Sequence, residues 1–134
     1  MRILCLSDVH ADVGAARRLG ATTLTGGIEL VVSAGDLGLD GANDRAVYEA
    51  IGKGSVPVLS VPGNHDGDAA YDALVAARDR KFVDRGSVQL ANWIRERQPL
   101  ACVCGHVHHK EAITEKLGAT TVINAGPHGW VLRL

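Results

Sequence analysis

The chain of 134 residues carries 14 basic and 15 acidic side chains, for a formal net charge of −1 and a pI near 6.6. This length fits a single domain over residues 1–134, and 46% hydrophobic against 22% charged residues excludes a disordered or fibrous chain. The near-neutral charge argues against general nucleic-acid binding and membrane-surface binding, because both need a basic excess. The three cysteines are an odd number, which argues against a disulfide framework. The sequence shows neither a signal-peptide core nor an apolar run long enough to span a membrane, so we expect a cytoplasmic protein.

Four short and nearly continuous apolar runs predict parallel strands that are covered on both faces. They comprise residues 3–6, 30–34, 56–61 and 100–104. The pattern changes towards the C-terminus, where short segments separated by turns predict antiparallel strands. These segments comprise residues 112–115, 120–123 and 129–134.

Helical spacing of apolar residues lies between the runs, and each predicted helix begins at a residue that can cap it. The predicted caps are Asp12, Asn43, Asp68 and Ser87. In the helix that follows Ser87, we expect Leu90, Trp93 and Ile94 to face inward. Pro99 ends this helix. Alternating strands and helices predict the α/β class.

Polar residues follow the first three runs at a constant spacing: Asp36 lies 28 residues after Asp8, and Asn64 lies 28 residues after Asp36. This is the length of a strand, a loop and a helix, so βαβ repetition brings all three to the same end of one sheet. Open α/β sheets bind ligands at that end. The fourth run is followed at once by residues 105–108, whose sequence is Gly-His-Val-His. Four strand ends therefore each deliver side chains that can bind metal.

The polar motifs are SDVH, GD, GNHD and GHVH, at residues 7–10, 35–36, 63–66 and 105–108. In an extended backbone Asp8 and His10 project the same way, and so do His106 and His108. A glycine opens each of the last three motifs and permits a sharp turn there. Carboxylate, imidazole and amide donors together suit manganese, iron, zinc or nickel better than calcium.

The ordered set D-x-H, GD, GNHD and GHxH resembles the calcineurin-like metallophosphoesterase superfamily, and the likeness covers most of the chain. The resemblance implies a layered β-sandwich flanked by helices, with the metal site at the carboxyl ends of the strands. It also implies hydrolysis of phosphate mono- or diesters, so the expected partner is a small phosphate ester or a nucleotide. Two alternatives stay open: a non-catalytic scaffold or binding module, as in the retromer scaffold subunit, and an inactive shortened fragment.

The same resemblance implies two divalent metal ions, which manganese, iron, zinc or nickel would supply. The first would be held by Asp8, His10, Asp36 and His108. The second would be held by Asp36, Asn64 and His106, so that Asp36 is shared. His65 would bind no metal and would donate a proton or a hydrogen bond to the leaving oxygen. Two cations about 3.5–4 Å apart clamp the oxygens of an in-line phosphoryl displacement.

The sequence departs from the family in one place. Relatives have a further histidine for the second metal between the GNHD and GHxH motifs, whereas residues 67–104 contain no histidine. We infer an internal deletion near residues 68–81 and a weak second metal site. Water, His109 or His128 could fill the vacant position there, but nothing in the sequence places either histidine to do so. Lost strands would also expose sheet edges, which favours a homodimer.

Other polar residues near these motifs have structural interpretations. Asp66 fits a turn or a helix cap, and His109 and His128 fit exposed positions. Cys102 and Cys104 share one face of a predicted buried strand, where cysteine acts as a small hydrophobic residue. None of these five is predicted to bind the expected metal ions.

Overall fold

The fold is taken from a computed structural model that describes residues 1–39, 44–54, 56–66 and 88–134. The elements in chain order are β1 (Arg2–Leu6), α1 (Val13–Thr25), β2 (Leu30–Ser33), α2 (Asp44–Ile51), a 3₁₀ helix (Gly52–Gly54), β3 (Val58–Ser60), α3 (Val88–Arg97), β4 (Ala101–Cys104), β5 (Ile113–Leu117), β6 (Thr120–Asn124) and β7 (Trp130–Arg133). Each of the four predicted apolar runs corresponds to one strand, but the prediction of coverage on both faces is wrong for β3, which is exposed, and for β4, which is half-buried. The predicted caps Asn43, Asp68 and Ser87 lie outside the described residues, and so does the inferred deletion.

Sheet A consists of four strands in the order β3-β2-β1-β7. Strands β1, β2 and β3 are parallel neighbours, with Ile3 beside Leu30 and Val31 beside Val58. This arrangement confirms the βαβ repetition that the 28-residue spacing predicts. The segments that follow these three strands therefore all leave sheet A at the carboxyl ends of the strands, where a shared site can form.

Sheet B consists of three strands in the order β4-β6-β5, with β6 parallel to β4 and antiparallel to β5. The predicted antiparallel tail is confirmed for the β5–β6 hairpin and for β7. Strand β7, however, belongs to sheet A, where Trp130 lies beside Cys5. The connection from β6 to β7 thus passes from one sheet to the other at the carboxyl end of β1.

The side chains of β1 alternate between two cores. Leu4 and Leu6 belong to the core that sheet A forms with α1 and α2. Ile3 and Cys5 belong to the core between the two sheets, together with Ile123. These four side chains are all buried, which explains why residues 3–6 form a continuous apolar run. The layers are therefore two helices, sheet A and sheet B, which confirms the layered α/β sandwich.

Helix α1 begins where the sequence predicts. The side chain of Asp12 accepts a hydrogen bond from the backbone N–H of Ala15 at 2.9 Å, as an N-cap does. Ala16 and Leu19 are buried against sheet A. At 13 residues α1 is the longest described helix, and none of the described helices has both the length and the apolar character needed to cross a membrane.

The sequence predicts that three side chains of α3 face inward, and this is correct for one of them and wrong for two. Ile94 is buried, but Leu90 and Trp93 are 39% and 51% exposed. Helix α3 lies against the β5 edge of sheet B, and its C-terminal end is tied to the β5–β6 turn by a hydrogen bond from Ala119 N–H to Gln98 Oε1. Because the helix meets the edge of a three-stranded sheet, only a narrow stripe of its surface is covered.

Candidate metal centre

Three side chains with metal-binding atoms meet at the carboxyl end of β1. The ligand atoms of Asp8, His10 and His108 lie within 4.8 Å of one another. The Nε2 atoms of His10 and His108 are 3.0 Å apart, while Asp8 Oδ1 lies 3.6 Å from Nε2 of His108 and 4.0 Å from Nε2 of His10. Asp8 is buried and His108 is exposed, so the cluster opens to solvent on its histidine side.

The distances within this cluster fit one divalent cation. Donor atoms bound at about 2.0–2.2 Å in tetrahedral or octahedral geometry lie about 2.9–3.4 Å apart. The two imidazole nitrogens already have this separation, whereas the carboxylate oxygen lies 3.6 and 4.0 Å from them and would move inward to bind the same ion. Two imidazole nitrogens that face each other must share a proton or a cation, because two lone pairs repel. Asp8, His10 and His108 can therefore hold a metal ion.

The backbone that carries these side chains is not extended. The prediction that Asp8 and His10 lie in extended backbone is wrong, because their φ angles are +55° and +47°, but their side chains do meet at one point. His106 likewise has a φ of +71°. Such left-handed backbone is unfavourable for residues other than glycine and persists only where the surroundings hold it. Here the backbone N–H groups of Asp8 and His10 donate to the carbonyls of Gly35 and Asp36 at 3.1 and 2.9 Å.

Both oxygens of the Asp8 carboxylate accept hydrogen bonds from the protein. Oδ1 accepts from the backbone N–H of His106 at 2.8 Å, and Oδ2 accepts from the hydroxyl of Ser7 at 2.7 Å. The Ser7 hydroxyl oxygen in turn accepts from the backbone N–H of Gly126 at 3.0 Å. Sequence reasoning missed Ser7. The signal that was present is a small hydroxyl residue directly before a strand-end aspartate.

A second buried carboxylate, Asp36, organises the loop that follows β3. Its Oδ1 accepts a hydrogen bond from the backbone N–H of His65 at 2.7 Å. Asp66 accepts from the backbone N–H groups of Gly38 and Gly63 at 2.6 and 3.0 Å, which confirms its interpretation as a turn residue. A β-carbon at position 63 would lie 2.1 Å from Asp36 Oδ1, so only glycine allows the GNHD loop to approach this closely.

The structure brings together three of the six residues predicted to bind metal. Asp36 and His106 are not part of the cluster, although the backbones of both contact it, and Asn64 is exposed at the next strand end. Among the described residues there is no second group of three or more histidine, cysteine or acidic side chains with this proximity. The ring of His65 lies edge-on to that of His10, with centroids 5.2 Å apart. His109 and His128 are exposed, as predicted.

The cysteines of β4 remain neutral thiols beside the cluster. Burial raises the pKa of Cys104 to about 11, and the neighbouring Cys102 and Asp8 contribute to the same rise. Burial also raises the pKa of Cys102. Neither cysteine belongs to the cluster, whose three residues offer oxygen and nitrogen donors only. This agrees with the prediction that both cysteines act as small hydrophobic residues.

Comparison with known proteins gives one family and several similar folds. Residues 1–133 match the family model of the calcineurin-like phosphoesterase superfamily domain. The structure is similar to that of the protein TT1561 of Thermus thermophilus, with a TM-score of 0.68 and 16% identity over 93% of this chain and 88% of that one. No curated protein matches the sequence.

Two further solved structures have similar folds. An archaeal phosphodiesterase has a TM-score of 0.61 and 18% identity over 94% of this chain and 84% of that one. Vps29 of Entamoeba histolytica, solved as a complex with Zn²⁺, has a TM-score of 0.57 and 18% identity over 94% of this chain and 74% of that one. At these identities the likeness concerns the fold, and it agrees with the layered sandwich.

Proposed function

This chain belongs to the calcineurin-like phosphoesterase superfamily, and from that membership we propose that it is a metal-dependent hydrolase of phosphate mono- or diesters. The observation that carries the proposal is the convergence of the Asp8, His10 and His108 ligand atoms within 4.8 Å of one another. We propose a small phosphate ester or a nucleotide as the substrate. The archaeal phosphodiesterase with a similar fold supports this reaction class.

Asp8, His10 and His108 would hold the metal ion, and manganese, iron, zinc or nickel suits their carboxylate and imidazole donors. The chemistry that a divalent cation supplies in such a site is Lewis acidity, which draws charge from phosphoryl oxygens and lowers the pKa of water. The protein's own contribution is rigidity, since the Asp8 carboxylate is buried and hydrogen-bonded at both oxygens. His108 is exposed, so the side of the cluster that faces away from Asp8 is open to a phosphate ester.

His65 is the residue that we assign to the leaving group. Its ring lies beside that of His10, with centroids 5.2 Å apart. Its backbone N–H donates to Asp36, which fixes the turn that carries the side chain. From this position the imidazole would donate a proton to the departing oxygen, a contribution of about 10²–10⁴-fold in rate when a general acid is well placed.

A second metal site, weaker than the first, would involve Asp36, Asn64 and His106. The absence of histidine from residues 67–104 removes the fourth ligand that relatives use there. Both Asn64 and His106 are exposed, and neither belongs to the cluster of Asp8, His10 and His108. Calorimetric titration with Mn²⁺ should give one tight class of site and one weak class. Two equally tight sites would refute the weak second site.

The competing proposal is a non-catalytic binding module. A fold shared with Vps29 does not separate the two functions, and an inactive shortened fragment is a third alternative. The enzyme requires the metal-binding cluster, but a binding module of this fold can hold metal as well, since Vps29 was solved as a complex with Zn²⁺, so turnover of substrate is what separates the two proposals. A scaffold would turn over no substrate with any metal and would keep its stability in chelator. An inactive fragment would lose cooperative unfolding.

Hydrolysis of p-nitrophenyl phosphate and of its bis ester, with and without Mn²⁺, tests the proposed activity. We expect Mn²⁺ to stimulate hydrolysis. Asp8→Asn and His108→Ala should each lower kcat/KM by more than about 100-fold, because even loss of a residue behind the ligands lowers activity by about 10–100-fold. His109→Ala is the matched control, since His109 is an exposed neighbour of His108 outside the cluster. Equal rates in all three variants would refute this site.

The role of His65 has its own test. His65→Ala should lower kcat more for phenyl phosphate than for p-nitrophenyl phosphate, because p-nitrophenolate leaves without being protonated. The dissociation constant for Mn²⁺ should stay unchanged, since His65 is not part of the metal-binding cluster. His128→Ala, at an exposed position, is the control. An equal loss with both esters would exclude proton donation by His65.

A further inference from the structure

The hydroxyl of Ser7 lies between the two sheets, and its hydrogen bonds have a fixed direction. The backbone N–H of Gly126 donates to Ser7 Oγ at 3.0 Å, and an N–H group can only donate. The hydroxyl proton is therefore directed to Asp8 Oδ2 at 2.7 Å, because a carboxylate oxygen accepts. Ser7 is 0% exposed and Asp8 is 5% exposed, so solvent does not compete for these bonds.

We propose that Ser7 is a positioning residue for the metal centre, an inference that rests on the proposed function. Its hydroxyl holds Oδ2 of Asp8, while the backbone N–H of His106 holds Oδ1 at 2.8 Å. With both oxygens held, the carboxylate plane is fixed, and Oδ1 faces Nε2 of His108 at 3.6 Å. Hydrogen-bonding partners of this kind orient metal ligands and typically account for about 10–100-fold in metal affinity or activity.

The position of Ser7 also ties the metal ligand to sheet B. Gly126 follows β6, and its carbonyl accepts from the backbone N–H of Ser7 at 3.2 Å, so the two residues are joined by a reciprocal pair of hydrogen bonds. Ser7→Ala would remove the donor to Asp8 and leave the N–H of Gly126 without its acceptor. The carboxylate could then rotate away from the geometry that faces His108.

Ser33 offers a matched control within the same sheet. It ends β2, pairs with Leu6 in the register of β1 and β2, and is buried like Ser7. Its hydroxyl oxygen accepts from the backbone N–H of Gly35 at 3.2 Å. Ser33→Ala therefore also deprives a buried backbone N–H of its partner, yet it removes no donor to a carboxylate among the described contacts.

The experiment measures Mn²⁺ binding by calorimetry and urea unfolding without metal, for the unsubstituted chain and for Ser7→Ala, Ser33→Ala and Ser7→Thr. We expect Ser7→Ala to raise the Kd for Mn²⁺ by about 10–100-fold. Ser33→Ala should leave that Kd unchanged, and it should lower the free energy of unfolding by about as much as Ser7→Ala does. Ser7→Thr retains a hydroxyl donor, so its Kd should return towards that of the unsubstituted chain.

Each other outcome overturns the role of Ser7. The role is refuted if Ser7→Ala has the same Kd for Mn²⁺ as the unsubstituted chain. It is also refuted if Ser33→Ala raises the Kd as much as Ser7→Ala does. If Ser7→Ala does not fold, Ser7→Thr decides: a Kd near that of the unsubstituted chain supports positioning by the hydroxyl, and one as weak as in Asp8→Asn refutes it. No Mn²⁺ binding by the unsubstituted chain refutes the metal centre as well, whereas binding without hydrolysis refutes only the activity.

Discussion

Gly105 packs against Asp8 so closely that a β-carbon at position 105 would lie 2.6 Å from Asp8 Oδ2. The same β-carbon would lie 2.7 Å from Ser7 Oγ. This contact brings the end of β4, in sheet B, against the end of β1, in sheet A. It also places His106 where its backbone N–H donates to Asp8. A glycine at this position is therefore a condition for assembling the cluster.

Gly105→Ala should destabilise the protein by about 1–3 kcal/mol, as overpacking of a closed contact does. It should also raise the Kd for Mn²⁺, because the displaced loop carries His108. Urea unfolding and calorimetric titration measure the two effects. Gly52→Ala is the control, since no atom lies within 4 Å of a β-carbon at that position. Equal stability and equal Kd in the two variants would show that the Gly105 contact is not required.

Metal binding should stabilise the fold. At a free Mn²⁺ concentration of about 100 times Kd, the expected gain in the free energy of unfolding is about 2.7 kcal/mol. Asp8→Asn should abolish most of this gain, and excess chelator should reverse it. Asp12→Asn is the control, because Asn also caps helices well and Asp12 contributes the N-cap of α1. A Tm that responds neither to Mn²⁺ nor to chelator would argue against the metal site.

Stability should fall in alkaline solution because the fold raises the pKa of two thiols, the buried Cys5 and the half-buried Cys104. Burial raises the pKa of Cys5 and of Cys104 from 9.0 to about 11 in each case. The unfolded chain therefore loses these protons at lower pH than the native protein does, and unfolding is favoured as pH rises. Their contribution is fully present below about pH 9 and is lost between about pH 9 and 11.

Urea unfolding at a series of pH values measures this dependence. Cys104→Ala should flatten the decline between about pH 9 and 11, since one thiol no longer titrates. The comparison with the unsubstituted chain removes the contributions of lysines and tyrosines, which titrate identically in both proteins. Parallel curves for the two proteins would mean that Cys104 does not contribute.

Strand β3 offers an edge through which two copies could pair. It pairs with β2 on one side, and no described strand pairs with its other side. Leu59, in this strand, is 60% exposed. We expect concentration-dependent dimerisation in sedimentation velocity, weakened by Leu59→Lys because a charge on an edge strand opposes pairing. Leu24→Lys is the control, at a 61% exposed position on α1. A monomer at every concentration would disprove the dimer.

The sequence was sufficient for features that depend on neighbouring residues. The regular spacing of Asp8, Asp36 and Asn64 predicts three parallel strands, because each βαβ unit forms from one continuous segment. The cap of α1 at Asp12 is equally local, since its hydrogen bond to Ala15 spans three residues. Such features are encoded in short stretches of chain, and the structure confirms them.

The tertiary structure alone decided how the cluster is assembled. The left-handed backbone at Asp8 and His10 depends on carbonyls of a neighbouring loop, and the hydrogen bond between Ser7 and Gly126 joins residues 119 positions apart. The return of β7 to sheet A likewise depends on packing between the sheets. No local preference predicts these contacts, because each is stabilised only when distant segments are already folded against each other.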